Sequence, residues 1–116
     1  MRLHWSSFRC AIAGIVFMMR TQPHARWHLL ATAVIIVLGS ALKIERGEWI
    51  ALALAAGLVW TAEAINTAIE SACDAITMEH LPRIGHAKDV AAGAVLIASI
   101  VALVVGVIVF GTRLRG

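Results

Sequence analysis

The sequence predicts an all-α membrane protein, with three transmembrane helices and an N-terminal amphipathic helix at the membrane interface. Composition is the first observation behind this prediction. Of the 116 residues, 60% are hydrophobic and only 15% are charged, whereas soluble proteins hold roughly 45–50% and about 25%. The second observation is that the apolar residues form three blocks separated by polar breaks. A chain of this length has room for one domain, which we place over residues 1–116.

Residues 1–25 are predicted to form the interfacial helix. On a helix the large apolar side chains share one face and the arginines flank it: Trp5, Phe8, Ile12, Ile15 and Met19, with Arg2, Arg9 and Arg20. This pattern is typical of a helix that lies in the headgroup region. A cleaved signal peptide is the alternative. It fits less well, because Arg9 interrupts the apolar core and no small-x-small cleavage site follows that core before Pro23.

The transmembrane helices are predicted at residues 27–42, 49–76 and 88–111. The third contains an uncharged run from Val90 to Phe110, close to the ~20 residues that cross a hydrocarbon layer roughly 30 Å thick. The first is short and the second contains acids. Each of these two spans a membrane only if its ends snorkel or its acids face protein.

Basic residues predict the orientation. With the N-terminus inside, the cytoplasmic side holds more of them than the other side: Arg2, Arg9, Arg20, Arg26, Arg83 and Lys88, against Lys43, Arg46, Arg113 and Arg115. We therefore expect a multi-pass membrane protein with its N-terminus in the cytoplasm. The polar end of the second span then faces the cytoplasm, where nucleotides are available. No basic and aromatic arrangement indicates nucleic-acid binding.

A polar stripe marks the second span. Its members are spaced by three and four residues and share one helical face: Glu63, Asn66, Thr67, Glu70 and Asp74. Each carboxylate in such a segment costs about 2.5–3.5 kcal/mol on insertion scales, which indicates a compensating cation, metal or proton path. Hard oxygen ligands suit Mg²⁺. The simpler alternative is that these acids only pair with nearby basic side chains.

Lys88 and Asp89 open the third predicted span. A lysine there can reach phosphate oxygens, and an acid can cap the helix or orient the lysine. Lysine is also common at helix ends as a snorkelling anchor, so its position alone does not decide its role.

Four sequence segments carry a family resemblance: "EAINTAIESACD", "AKDVAAGAVLIA", "SFRCAIAGI" and "TQPHARWH". Together they resemble the prokaryotic diacylglycerol kinase family, which includes undecaprenol kinases, over about residues 7–109. The resemblance implies a homotrimer whose active sites are shared between neighbouring subunits. It also implies transfer of the γ-phosphate of MgATP to the hydroxyl of a membrane lipid alcohol.

The resemblance assigns roles to the stripe. Glu63 matches the family's catalytic base, Asn66 its partner, and Glu70 a metal ligand. A second metal-binding glutamate is frequent in the family, and Gln22 occupies its position. An amide offers an oxygen but no charge, so we expect weaker Mg²⁺ binding or fewer ions.

A second set of residues is expected to contact the nucleotide. Lys88 and Asp89 match the family's phosphate contacts, and Glu79 and His80 lie where its loop meets the nucleotide. The full predicted set is Arg9, Glu70, Asp74, Glu79, His80, Lys88 and Asp89.

Undecaprenol is the favoured lipid and diacylglycerol the second. The long interval "SFRCAIAGIVFMMRTQPHARWH" and "KDVAAGAV" look closer to the undecaprenol kinase branch. Two other classes stay open, a proton-coupled transporter using Glu63 and Glu70 and a non-catalytic assembly subunit. The transporter is disfavoured because the stretch from Trp49 to Ala62 holds no ionisable residue. Neither alternative requires MgATP.

Overall fold

The computed structural model describes residues 2–76, 79 and 81–115, with side chains from residue 5 onward. Its helices are α1 Arg2–Thr21, α2 Pro23–Leu42, α3 Arg46–Ile76 and α4 Pro82–Arg115. The last three are each long and apolar enough to cross a membrane. The prediction of an all-α chain with three candidate spans is confirmed.

Helix α4 begins at Pro82, well before residue 88, where we placed the start of the third span. Its 34 residues extend for about 51 Å at 1.5 Å per residue, against a hydrocarbon core of roughly 30 Å. Proline is favoured in the first turn of a helix, and the polar residues after it continue the helix outside the apolar layer. Lys88 therefore lies in the second turn of α4 rather than at its start.

A single residue separates α1 from α2. Gln22 has an extended backbone, with φ −111° and ψ 109°, the region to which a following proline restricts its neighbour. Arg26, from the first turn of α2, reaches back to the last turn of α1. Its guanidinium donates hydrogen bonds to the carbonyls of Met19 and Arg20, at 3.2 and 3.0 Å. The corner between the two helices is therefore short, and the hydrogen bonds from Arg26 tie the start of α2 to the end of α1.

The turn between α2 and α3 is also tight. Lys43 adopts a left-handed conformation with φ 52°, and its N–H donates to the Ser40 carbonyl while that of Ile44 donates to Gly39. This is the Schellman pattern that ends many helices. A Cβ atom on Gly39 would lie 2.6 Å from the Trp49 ring, so the close approach of the two helices requires glycine there.

Helices α3 and α4 pack against each other more extensively than any other pair in the described part of the chain. A small apolar core near the α2–α3 turn contains Ile44, Leu52 and Val109. Helix α2 buries only Ala25 and Gly39. Many large apolar side chains of α2 and α4 stay exposed in the single chain, as expected for surfaces that face lipid or neighbouring membrane helices.

Charged residues join the start of α3 to the end of α4, in what we call the Arg113 cluster (Glu45, Glu48 and Arg113). Arg113 donates to Glu48 Oε1 from Nη2 at 2.7 Å and from Nε at 3.1 Å. Its Nη2 also lies 3.4 Å from Glu45 Oε1. Glu48 additionally accepts a hydrogen bond from the Glu45 backbone N–H at 2.9 Å, which caps the first turn of α3.

Candidate active site

The polar stripe begins on the buried face of α3. Glu63 and Thr67 are 5% and 6% exposed, and they are the buried polar residues within the described ranges. They continue the apolar face formed by Leu52, Ala55 and Val59. The Thr67 hydroxyl donates to the Glu63 carbonyl at 2.9 Å, within the helix. The Glu63 carboxylate is therefore directed toward the interior of the bundle, as expected for an intramembrane acid.

His28 of α2 faces Glu63. Its Nδ1 lies 3.4 Å from Glu63 Oε1, close enough for an ion pair if the imidazole is protonated. The two atoms are not aligned as a hydrogen bond, and Nδ1 is buried with no hydrogen-bond partner among the described residues. The polar pattern of the second span gave no indication of His28. An ionisable residue just inside the first predicted span is itself an indication of function, and that criterion would have found it.

An aromatic contact supports the His28 ring. The ring stands edge-on to Trp60 of α3, with centroids 6.4 Å apart and planes at 80°. The Trp60 indole N–H donates to the Thr32 hydroxyl at 3.1 Å. Thr32 in turn donates to the His28 carbonyl at 2.7 Å. The orientation of the imidazole is thus supported by contacts from both helices.

Glu70 lies between two amides. The Gln22 Nε2 donates to Glu70 Oε2 at 3.4 Å, and the Asn66 Nδ2 donates to Oε1 at 3.5 Å. Both contacts are long for hydrogen bonds. Asn66 Oδ1 is buried without a partner in the described part of the molecule. The structure therefore brings together Gln22, Asn66 and Glu70.

Lys88 and Asp74 form a second group, farther toward the end of α3. The Lys88 Nζ lies 2.8 Å from Asp74 Oδ1, and the two side chains are 39% and 56% exposed. Such a solvated ion pair is weak enough to exchange partners. It links α3 to the second turn of α4 and leaves the lysine accessible.

Four other residues were predicted to contact the nucleotide. Arg9 on α1 and Asp89 on α4 have exposed side chains. Glu79 lies in the bend between α3 and α4, and His80 is outside the described residues.

The side chains around Glu70 fit a magnesium ion that is bound partly by protein oxygens and partly by the phosphates of a substrate. Within the described ranges, no group of three or more His, Cys, Asp or Glu side chains is placed to hold a metal. Mg²⁺ in phosphate chemistry is usually bound by one or two carboxylates, several waters and the substrate phosphates. Glu70 supplies one carboxylate. The amides of Gln22 and Asn66 each carry a carbonyl oxygen, and rotation would turn it toward the same site.

An apolar cleft of about 350 Å³ lies between α2, α3 and α4. His28, Val59 and Trp60 line the part nearest Glu63, while Leu38 and Phe110 line the part toward the α2–α3 turn. The cleft thus extends along the bundle, with the polar side chain of His28 at one end and apolar side chains along the rest.

Comparison with known proteins identifies the family. A family model described as prokaryotic diacylglycerol kinase matches residues 9–110, most of the chain. The chain belongs to the prokaryotic diacylglycerol kinase family. Membership confirms the resemblance inferred from the sequence, and with it the prediction of a lipid kinase with membrane-spanning helices.

Relatives within the prokaryotic diacylglycerol kinase family carry two different substrate names. The undecaprenol kinase of Bacillus subtilis is 33% identical over 110 residues, covering 95% of this chain and 89% of the relative. The diacylglycerol kinase of Synechocystis sp. is 40% identical over 101 residues, covering 86% of this chain and 58% of the relative. The diacylglycerol kinase of Pseudomonas aeruginosa is 29% identical over 106 residues, with 91% and 83% covered.

Proposed function

We propose that this protein transfers the γ-phosphate of MgATP to the hydroxyl of a membrane lipid alcohol, with Glu63 as the general base. One observation carries the proposal. Glu63 is a buried carboxylate whose closest described partner is an imidazole rather than a lysine or arginine. Its partner His28 lines an apolar cleft, in a chain that belongs to a lipid kinase family. A hydrocarbon chain suits the cleft, and a hydroxyl at its end would meet the carboxylate.

The chemistry asks chiefly for position and charge. Phosphoryl transfer needs the attacking oxygen in line with the leaving group and the phosphate charge neutralised. Glu63 accepts the proton of the lipid hydroxyl as the oxygen attacks the γ-phosphorus. Asn66 follows one turn later on α3, between Glu63 and Glu70. Its buried Oδ1 offers an acceptor that helps to orient the incoming groups.

Glu70 would hold Mg²⁺, with Gln22 as a weaker second ligand. When bound, the ion neutralises phosphate charge that builds up during transfer. Gln22 lies against Glu70, which supports its assignment. Its lack of charge favours a metal held partly by the nucleotide itself.

Lys88 would bind a phosphate of the nucleotide by exchanging its partner. Its ion pair with Asp74 is partly exposed to solvent, so Asp74 can orient the lysine until an incoming phosphate replaces the carboxylate. The other residues that we assign to the nucleotide are Asp89, which follows Lys88 in the sequence, Glu79 and His80, which precede α4 in the sequence, and Arg9 on α1.

A homotrimer with active sites shared between subunits is part of the proposal. One support is the large apolar area that the single chain leaves exposed on α2 and α4. The other is the proposed metal site, where Glu70 is the one carboxylate that the described residues provide. We place α1 in the membrane interface, since Trp5, Phe8 and Ile12 are 73%, 60% and 48% exposed. The active site then lies at the cytoplasmic face of the inner membrane.

Undecaprenol is the proposed acceptor, with diacylglycerol second. The long N-terminal interval supports this order. The Bacillus subtilis relative, named an undecaprenol kinase, also aligns over 89% of its own length. The residues around Glu63 do not discriminate, since both lipids present a primary hydroxyl.

Transfer of labelled phosphate tests the proposal. Purified protein in mixed micelles receives γ-labelled ATP, Mg²⁺ and either undecaprenol or diacylglycerol. We expect label in the lipid fraction only when the divalent cation is present, with the higher kcat/KM for undecaprenol. Folded protein that labels neither these lipids nor related alcohols would contradict the kinase assignment. A higher kcat/KM for diacylglycerol would reverse only the order of substrates.

A further inference from the structure

His28 has a buried atom directed at the proposed base. The side chain as a whole is 26% exposed, yet its Nδ1 is buried and makes no hydrogen bond in the described part of the chain. That atom lies 3.4 Å from Glu63 Oε1. Buried polar atoms in native structures are normally satisfied, so an unsatisfied one calls for a functional explanation.

The surroundings restrict what Nδ1 can contact. Trp60 stands at the edge of the ring, and its own N–H is engaged with Thr32. Thr32 is bonded to the His28 carbonyl. Trp60 and Thr32 are thus engaged with other groups, and Glu63 is the polar side chain that faces Nδ1. Rotation of the ring would bring an Nδ1–H into line with the carboxylate.

Distances of this kind are common in enzymes without substrate. Catalytic hydrogen bonds are often long or poorly aligned in the free protein and tighten when the substrate binds. A bond of ordinary length would bring the two atoms to about 2.7–3.2 Å. The movement required from 3.4 Å is small.

We propose that His28 is a positioning residue for Glu63. Its Nδ1–H donates to Oε1 of the carboxylate, so that Oε2 faces the hydroxyl of the acceptor lipid. This inference rests on the proposed function. The proton on Nδ1 stays on the imidazole throughout. The proton of the lipid hydroxyl goes to Glu63, and the phosphoryl group moves from ATP to the lipid oxygen.

Two amide substitutions of His28 distinguish a role of Nδ1 from a role of Nε2. The side-chain nitrogen of asparagine stands at the same number of bonds from Cβ as Nδ1, whereas that of glutamine reaches the position of Nε2. We expect His28→Asn to retain most of the kcat for lipid phosphorylation. We expect His28→Gln and His28→Ala to lower kcat roughly 10- to 100-fold, as small misplacements of catalytic groups do, with the KM for ATP unchanged.

A double-mutant cycle gives the second measurement. If His28 acts through the Glu63 carboxylate, His28→Ala should lower kcat in the natural background and have almost no further effect in a Glu63→Gln background. Each kcat is referred to the amount of folded protein. This keeps the comparison valid if a variant folds poorly, because the single and double variants share the same His28 change.

The outcomes decide between the proposals. Equal losses in His28→Asn and His28→Gln, or an additive loss in the double variant, would overturn the positioning role. Normal kcat in His28→Ala would do the same. In each of these cases the unsubstituted protein would still transfer phosphate to the lipid, so the proposed function would stand. If that protein itself transfers no phosphate to lipid, the proposed function fails, and the His28 proposal falls with it.

Discussion

Helix α3 carries glutamates near its beginning and along its second half, and their partners differ between the two regions. Near the beginning, Glu48 accepts two hydrogen bonds from the guanidinium of Arg113. In the second half, Glu63 faces a histidine and Glu70 lies between two neutral amides. The same residue type, on the same helix, is paired with a permanent cation in one region and with titratable or neutral groups in the other.

This difference distinguishes a structural charge from one that awaits a ligand. In the Arg113 cluster each charge has an opposite charge within the chain, joined by charge-assisted hydrogen bonds. Glu63 and Glu70 place carboxylates within a candidate membrane span, where each costs free energy unless a partner compensates its charge. We infer that a lipid hydroxyl, a metal ion and a nucleotide provide the missing partners. Neutralising an acid should therefore have opposite consequences in the two regions.

The largest effect is expected for Glu63→Gln. Glutamine keeps the shape of the side chain but cannot accept the proton, so kcat should fall by roughly 10²–10⁴-fold, the range of general-base loss. The KM for ATP should change little. Phosphate transfer and thermal unfolding in detergent are measured on one preparation.

Stability provides the control for this substitution. Removing a buried carboxylate that contacts no lysine or arginine in the described part of the chain should leave the unfolding temperature equal or higher. A Glu63→Gln protein that is less stable but fully active would mean that the carboxylate is a structural ion-pair partner of His28.

An intermediate effect is expected for the pair around Glu70. Glu70→Gln should weaken the apparent affinity for Mg²⁺ and Gln22→Glu should strengthen it, because Mg²⁺ prefers charged oxygen ligands. A change of about tenfold in either direction corresponds to roughly 1.4 kcal/mol. The measurement is the Mg²⁺ dependence of phosphate transfer at fixed ATP.

Glu45→Gln is the matched control for the magnesium series. Glu45 is an acid of the Arg113 cluster with a side chain 79% exposed, and its loss should leave the Mg²⁺ dependence unchanged. If Glu70→Gln and Gln22→Glu also leave it unchanged, these two side chains do not belong to the metal site.

The smallest effect is expected for Glu48→Gln. This change removes the charged acceptor of Arg113 and weakens the cap of α3, so the unfolding temperature should fall by a few degrees at most. The kcat per folded molecule should stay the same. A loss of activity at normal stability would show that the Arg113 cluster contributes to function, and the contrast between the two regions would not hold.

The apolar pattern predicted the helices better than their ends. The uncharged run from Val90 to Phe110 marks the hydrocarbon, but α4 begins at Pro82. Hydropathy does not respond to helical turns that continue into the polar layer. The spacing of the stripe placed Asn66 beside Glu70 on one helix, and this contact is present.

Contacts between helices were harder to infer. The proximity of Gln22 to Glu70 came from the family resemblance. The contact of His28 with Glu63 was missed, because periodicity describes one helix and does not state which residue of another helix faces it.

The one-residue corner at Gln22 has a consequence for insertions and deletions. Pro23 fixes the backbone of Gln22, and Arg26 ties the two helix ends together, so the direction of the Gln22 side chain follows from the corner itself. A helix turns by about 100° per residue. Adding or removing one residue at the start of α2 would therefore rotate the Gln22 corner by about that angle around the α2 axis and carry the amide away from Glu70. The length of this junction is therefore under tighter constraint than the identity of most residues around it.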